Sequence, residues 1–111
     1  MHELSITCSM LRVALRAAET QGARCVSRVN ILVGEEAGVA PDCVRFYFER
    51  LARGTAAEGA ELRFTPVPLR IRCPKCGRET SRVEDLCACG AGGEVISGSE
   101  LVVESVEVED T

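Results

Sequence analysis

The chain has 111 residues, of which 13 are basic and 17 acidic, for a net charge of −4; 46% are apolar but only 4% aromatic. That length allows one modest core, or a small core with a metal-stapled lobe, and the acidic balance removes the usual electrostatic footprint of a nucleic-acid binder. No apolar run is long enough to span a bilayer, and MHELSITCSM lacks the basic start and apolar stretch of an export signal, so the expected compartment is the cytoplasm, where thiols stay reduced and seven cysteines favour metal over disulfides.

Residues 4–20 read as an amphipathic helix with Leu4, Cys8, Leu11, Leu15 and Ala18 on one buried stripe and Arg12, Arg16 and Glu19 off it. Gln21-Gly22 supplies its stop. From Arg28 to Gly34, Val29, Ile31 and Val33 alternate with Arg28, Asn30 and Leu32, which predicts a strand. Gly34, Gly38 and Pro41 mark a turn-rich connection. A second helix is expected from Pro41 to Arg53, with proline in its first turn, an inner face of Val44, Tyr47, Phe48 and Leu51, and Gly54 at its end. After a loop, Leu62, Phe64 and Val67 form a second strand, which Pro66 and Pro68 push toward a sheet edge. The last strand is Glu100 to Glu109, with a bulge expected around Val102-Val103, where the alternation slips.

Between the last two strands, residues 70–98 lose apolar runs and gain Cys, Gly and charge. The expected fold class is therefore α+β: a small three-stranded sheet with two helices, plus an inserted four-cysteine, zinc-ribbon-like lobe. Residues 1–69 and 99–111 would make one discontinuous α/β domain and residues 70–98 a zinc-binding domain.

The insert carries Cys73-Pro74-Lys75-Cys76-Gly77 and Cys87-Ala88-Cys89-Gly90, with ten residues between Cys76 and Cys87. Four thiolates satisfy a tetrahedral zinc completely and leave no open position, so Cys73, Cys76, Cys87 and Cys89 are the expected ligands of a structural zinc. Gly77 and Gly90 let the backbone turn its amides toward the sulfurs. An insert so poor in apolar residues cannot fold on packing alone. Cys8, Cys25 and Cys43 are scattered and read as packing residues.

The single histidine is His2. A histidine near a terminus is commonly just solvated. Alternatively, the Met1 amine, the backbone nitrogens of His2 and Glu3 and the His2 imidazole can close fused chelate rings around a planar Ni(II) or Cu(II).

Several motifs resemble the hydrogenase nickel-insertion accessory proteins of the HypA/HybF family. They are the opening Met1-His2-Glu3-Leu4-Ser5, the strand Val29-Asn30-Ile31-Leu32-Val33-Gly34-Glu35, the helix segment Phe46-Tyr47-Phe48-Glu49, the loop residues Gly54-Thr55 and Glu58-Gly59-Ala60, the paired cysteines, and the closing Ile96-Ser97-Gly98-Ser99-Glu100-Leu101 and Glu104-Ser105-Val106-Glu107-Val108. The similarity covers essentially the whole chain. It implies a nickel metallochaperone, not an enzyme, that binds nickel through His2 and nearby backbone nitrogens and holds zinc in the cysteine lobe. The implied partners are a GTPase of the HypB type and the large subunit of nickel–iron hydrogenase, with urease as a second client and a homodimer left open. The chain departs from the family pattern in the one-residue spacing of Cys87-Ala88-Cys89, where two is usual. In the loop before the second helix, where some members place an acidic ligand, Asp42 reads instead as a first-turn helix acid.

Two rival readings belong to other classes. As a nucleic-acid or protein adaptor, the lobe would offer Arg70, Arg72, Lys75, Arg78 and Arg82, but Glu79, Glu84, Asp85 and Glu94 oppose them and no aromatic is present for stacking. As a thiol redox enzyme, the cysteines lack a neighbouring histidine base, and zinc would passivate them.

Overall fold

A computed structural model describes residues 3–86 and 92–110. Helix α1 runs Glu3–Gln21, strand β1 Cys25–Gly34, helix α2 Pro41–Leu51 and strand β2 Glu61–Val67. Short strands β3 (Arg70–Arg72), β4 (Glu79–Thr80) and β5 (Glu94–Ser97) follow, with a single 3₁₀ turn at Val83–Asp85, and β6 (Leu101–Glu109) closes the chain.

The strands form two sheets. The larger has the order β2-β1-β6, with β1 parallel to β2 and antiparallel to β6. Its register lines up Val29 with Leu62 and Val106, and Ile31 with Phe64 and Val103, on the face that meets the helices. The opposite face carries Arg28 between Glu61 and Glu107, and Asn30 between Arg63 and Ser105. Period-two alternation along β1 thus assigns one set of side chains to the core and the other to solvent. On the open face Arg28 pairs with Glu61 at 3.0 Å and with Glu107 at 3.2 Å, and Asn30 Nδ2 donates to Glu107 at 2.9 Å. The Asn30 bond, followed by the Arg28 charge, holds the Glu107 carboxyl below its ordinary range.

The core joins Met10, Ala14 and Ala18 of α1, Val44 and Phe48 of α2, and Val29 and Ile31 of β1. Small alanines on α1 allow close packing, and Val29 and Ile31 suit a covered strand.

The described structure agrees with the expected α+β architecture, with corrections. The buried face of α1 is Thr7, Met10, Ala14 and Ala18, while Leu4 is 48% exposed and Cys8 is exposed. The helix carries apolar residues on two neighbouring faces, and Thr7 can lie on the buried one because its hydroxyl donates to the Glu3 carbonyl at 2.6 Å. Cys43 is also exposed rather than packed, and Cys25 is half-buried. Strand β1 begins at Cys25, and α2 ends at Leu51, itself partly exposed. Ala57, in the loop after α2, is fully buried. The last strand does bulge, but the extra residue is Glu104, between the Asn30–Ser105 and Ile31–Val103 pairs; Ser27 is a matching irregularity on β1.

The smaller sheet, ordered β4-β3-β5, lies within the cysteine-rich segment. Its two connections to the larger sheet cross at the end of β1. The Gly34 N–H donates to the Glu100 carbonyl at 2.7 Å, and the Glu36 N–H donates to the Gly98 carbonyl at 2.7 Å. A Cβ on Gly34 would fall 2.1 Å from the Gly98 carbonyl oxygen, and one on Gly98 would fall 2.5 Å from Leu69 Cα. Only glycine permits three backbone segments to approach so closely.

Candidate metal centres

The first centre begins at the start of α1. Glu3 opens the helix, and its carboxylate accepts the Ala40 N–H at 3.2 Å. Ala40 is the N-cap of α2 and has no side chain that could cap. Position N3 of that helix is Cys43, where a capping box would place Glu. Glu3 supplies the missing acceptor from another helix, a role that no local pattern discloses. The residue next to His2 is thereby tied to the loop before α2, and the same loop is tied through Glu36 to Gly98. Met1 and His2 themselves lie outside the described residues. Asp42 points away: its side chain is fully exposed and faces Arg45 at 3.6 Å.

The second centre is the cysteine turn. Cys73 follows β3 and is buried, while Cys76 is exposed. The Cys76 N–H points at Cys73 Sγ at 3.5 Å, the Gly77 N–H donates to the Cys73 carbonyl at 2.9 Å, and the Cys73 N–H donates to the Arg78 carbonyl at 2.8 Å. Gly77 sits at φ +78°, in the left-handed region that a side chain would strain. This is a knuckle: two residues between the sulfurs, a tight turn, and an amide aimed at the first thiol. A thiolate gains from such a bond, because N–H donors offset the charge gathered around a metal.

Cys87 and Cys89 lie outside the described residues, but the chain on both sides of them does not. Gly93 sits against both Leu86 and Ile71, the latter two residues before Cys73, so closely that a Cβ on Gly93 would lie 2.5 Å from Ile71 Cγ2 and 2.8 Å from Leu86 Cδ2. Glu94 pairs with Arg72. The segment bearing the second cysteine pair therefore leaves and rejoins the lobe beside the knuckle. The donor set and this placement fit a zinc. Among the described residues alone, no group of three metal-ligating side chains converges.

The lobe has little else to hold it. Among its described residues Ile71 and Cys73, with the adjoining Leu69, are the buried apolar ones, whereas Val83, Leu86, Val95 and Ile96 are exposed.

An α+β fold with a cysteine knuckle set into an inserted sheet defines a small metal-binding protein. Residues 1–108 match the family model described as hydrogenase/urease nickel incorporation, metallochaperone, hypA. The hydrogenase maturation factor HypA of Dehalococcoides mccartyi (strain CBDB1) is 44% identical over 114 residues, covering 99% of this chain and 96% of that protein. The HypA of Archaeoglobus fulgidus is 41% identical over 109 residues, covering 98% and 99%. Among solved structures, the Ni metallochaperone HypA from Helicobacter pylori aligns over all of both chains with a TM-score of 0.72 at 20% identity. Another HypA solution structure aligns with a TM-score of 0.79 at 19% identity, covering 100% of this chain and 98% of that one. The chain belongs to the HypA family.

Proposed function

We propose that this chain, a nickel metallochaperone of hydrogenase maturation by family, takes its Ni(II) at its own first residues and keeps zinc in a separate lobe. The nickel donors are the Met1 amine, the backbone nitrogens of His2 and Glu3, and the His2 imidazole. The observation that carries this reading is the Glu3–Ala40 bond, which anchors the chain immediately after His2. A planar nitrogen set selects nickel by geometry, and because its donors must be deprotonated it weakens as acid rises. Such a site suits cargo that must be released.

Zinc is the resident ion, held by Cys73 and Cys76 and completed by Cys87 and Cys89. When bound it supplies a fold to residues 70–98 and no open position for chemistry. On this reading residues 1–69 with 99–111 form the nickel-handling domain, and the protein transfers metal without catalysing a reaction. Its partners are a GTPase of the HypB type and the nickel–iron hydrogenase large subunit, with urease as a further client, and its compartment is the cytoplasm. Among the described residues no helix is long and apolar enough to cross a membrane.

The test is nickel titration of zinc-loaded protein with a native amino terminus, beside His2→Ala and a form extended at the N-terminus. Both variants should lose tight nickel binding while keeping zinc. Nickel bound as tightly by both variants as by the parent would refute the terminal site.

A further inference from the structure

The two edges of the larger sheet are built differently. On β2, Pro66 removes an N–H from the ladder and Arg63 adds an exposed charge, devices that discourage further pairing. On β6 there is neither proline nor any basic residue, and among the described residues no strand lies on its outer side. Alongside that open edge, on its core-facing side, runs an apolar valley. Ile6, Met10 and Val13 of α1 face Leu101 and Val103 across one part of it. Ala17 of α1, with Val106 and Val108, continues it to the far end of the strand, where Thr20, Gln21, Glu104 and Ser105 make its walls partly polar. Val13 is 47% exposed.

An extended segment laid against β6 would form backbone bonds with the edge, and every second side chain would fall into the valley. Charge decides the occupant. Glu100, Glu104, Glu107, Glu109 and Asp110 stand along β6 and its flanks, with no lysine or arginine between Ser99 and Asp110. Arg28 answers Glu107, and the Gly98 N–H donates to Glu100, but no described basic side chain pairs with Glu104 or Glu109. A second copy pairing β6 with β6 would crowd these carboxylates together, which is unfavourable for directly opposed strands. A basic strand gains where a second copy loses. We infer that the outer edge of β6 docks an extended segment of another protein, one in which apolar residues alternate with lysine or arginine.

The probes are fluorescein-labelled peptides of nine residues, matching the nine of β6. One alternates Val with Lys, one alternates Val with Glu, and a third repeats the Val–Lys sequence with every second amide N-methylated. They are titrated by anisotropy against full-length, zinc-loaded protein at fixed salt. The Val–Lys peptide should bind saturably and the Val–Glu peptide should not. N-methylation and the substitution Val13→Asp should each weaken binding by about tenfold or more, on the order of the 1.4 kcal/mol that one decade represents. Glu104→Lys with Glu109→Lys should reverse the preference between the two peptides. Circular dichroism and nickel uptake of Val13→Asp should match the parent, which keeps this result separate from the terminal nickel site. Three results would each overturn the inference: no saturable binding of the Val–Lys peptide, binding indifferent to both N-methylation and Val13→Asp, or a parent dimer in sedimentation that Val13→Asp dissolves.

Discussion

The larger sheet with its helices and the cysteine lobe solve the same stability problem by opposite means. In the first, β1 runs between two neighbours and α1 and α2 seal one face, so Val29, Ile31, Val44 and Phe48 are almost wholly removed from water. In the second, strands of two to four residues leave four large apolar side chains exposed among the described residues, and of these residues only Ile71 and Cys73, with the adjoining Leu69, are buried and apolar. On the proposed reading, packing suffices for one region and zinc completes the other. The difference also separates two kinds of site. A closed thiolate cluster is part of what it holds together, whereas a terminal nickel site can come and go without unfolding its domain.

The sharpest way to break this contrast is to remove the zinc ligands. Cys73→Ser, or a strong chelator, should unfold residues 70–98 and leave the larger sheet intact. Structural zinc contributes about 10 kcal/mol or more in small zinc domains, far beyond what three buried side chains provide. Hydrogen exchange resolved by segment would show protection lost at Ile71 and Val95 and retained at Val29 and Ile31. Uniform loss in both regions would show that the lobe is not the separately stabilised part.

The converse substitution, Phe48→Ala, should destabilise the larger domain by about 3–5 kcal/mol, as for other large-to-small changes in a core. Thermal melting should register the loss while zinc content stays at one per chain. Third in size is Gly34→Ala at the crossing. The added methyl meets the Gly98 carbonyl, and overpacking of this kind costs about 1–3 kcal/mol. Because the contact joins the two regions, exchange should rise on both sides of the crossing, at Leu69 and Gly98 as well as Gly34. An effect confined to one side would show that the crossing does not couple them.

The smallest effect concerns pH. Glu107 has its carboxyl lowered from the ordinary value of 4.5, first by the Asn30 bond and then by Arg28. A depressed carboxyl stabilises the fold above that ordinary value and loses its contribution as pH falls through the lower folded value. Asn30→Ala should therefore reduce stability at neutral pH slightly and make the acid limb of the stability curve shallower, leaving the two proteins alike at the acid end. Urea melts across the acid range would detect this, and parallel curves for both proteins would argue against the linkage.

The element order is legible in the sequence because β1 alternates strictly and α2 has proline at its start and glycine just beyond its end. The knuckle is legible too, since Cys73, Cys76 and Gly77 must be close in sequence to be close in space. The buried face of α1 is legible only at Ala18, because Leu4, Cys8, Leu11 and Leu15 form as good an apolar stripe with it as Thr7, Met10 and Ala14 do. Tertiary packing chose the stripe with smaller side chains, against which the sheet and α2 fit. Likewise Glu3 reads locally as an acid in a first helical turn, and its partner Ala40 lies 37 positions away. Contacts of that kind are set by topology. The open edge of β6 is of the same nature, since only the strand order reveals which strand has an unoccupied side.

On the proposed reading, two metals occupy two addresses of different chemistry on one chain. X-ray absorption at the nickel and zinc edges, measured on one sample loaded with both and carrying its native amino terminus, tests it most directly. Nickel should be surrounded by nitrogen donors that include an imidazole, with no sulfur, and zinc by four sulfurs. Sulfur at the nickel edge would contradict it.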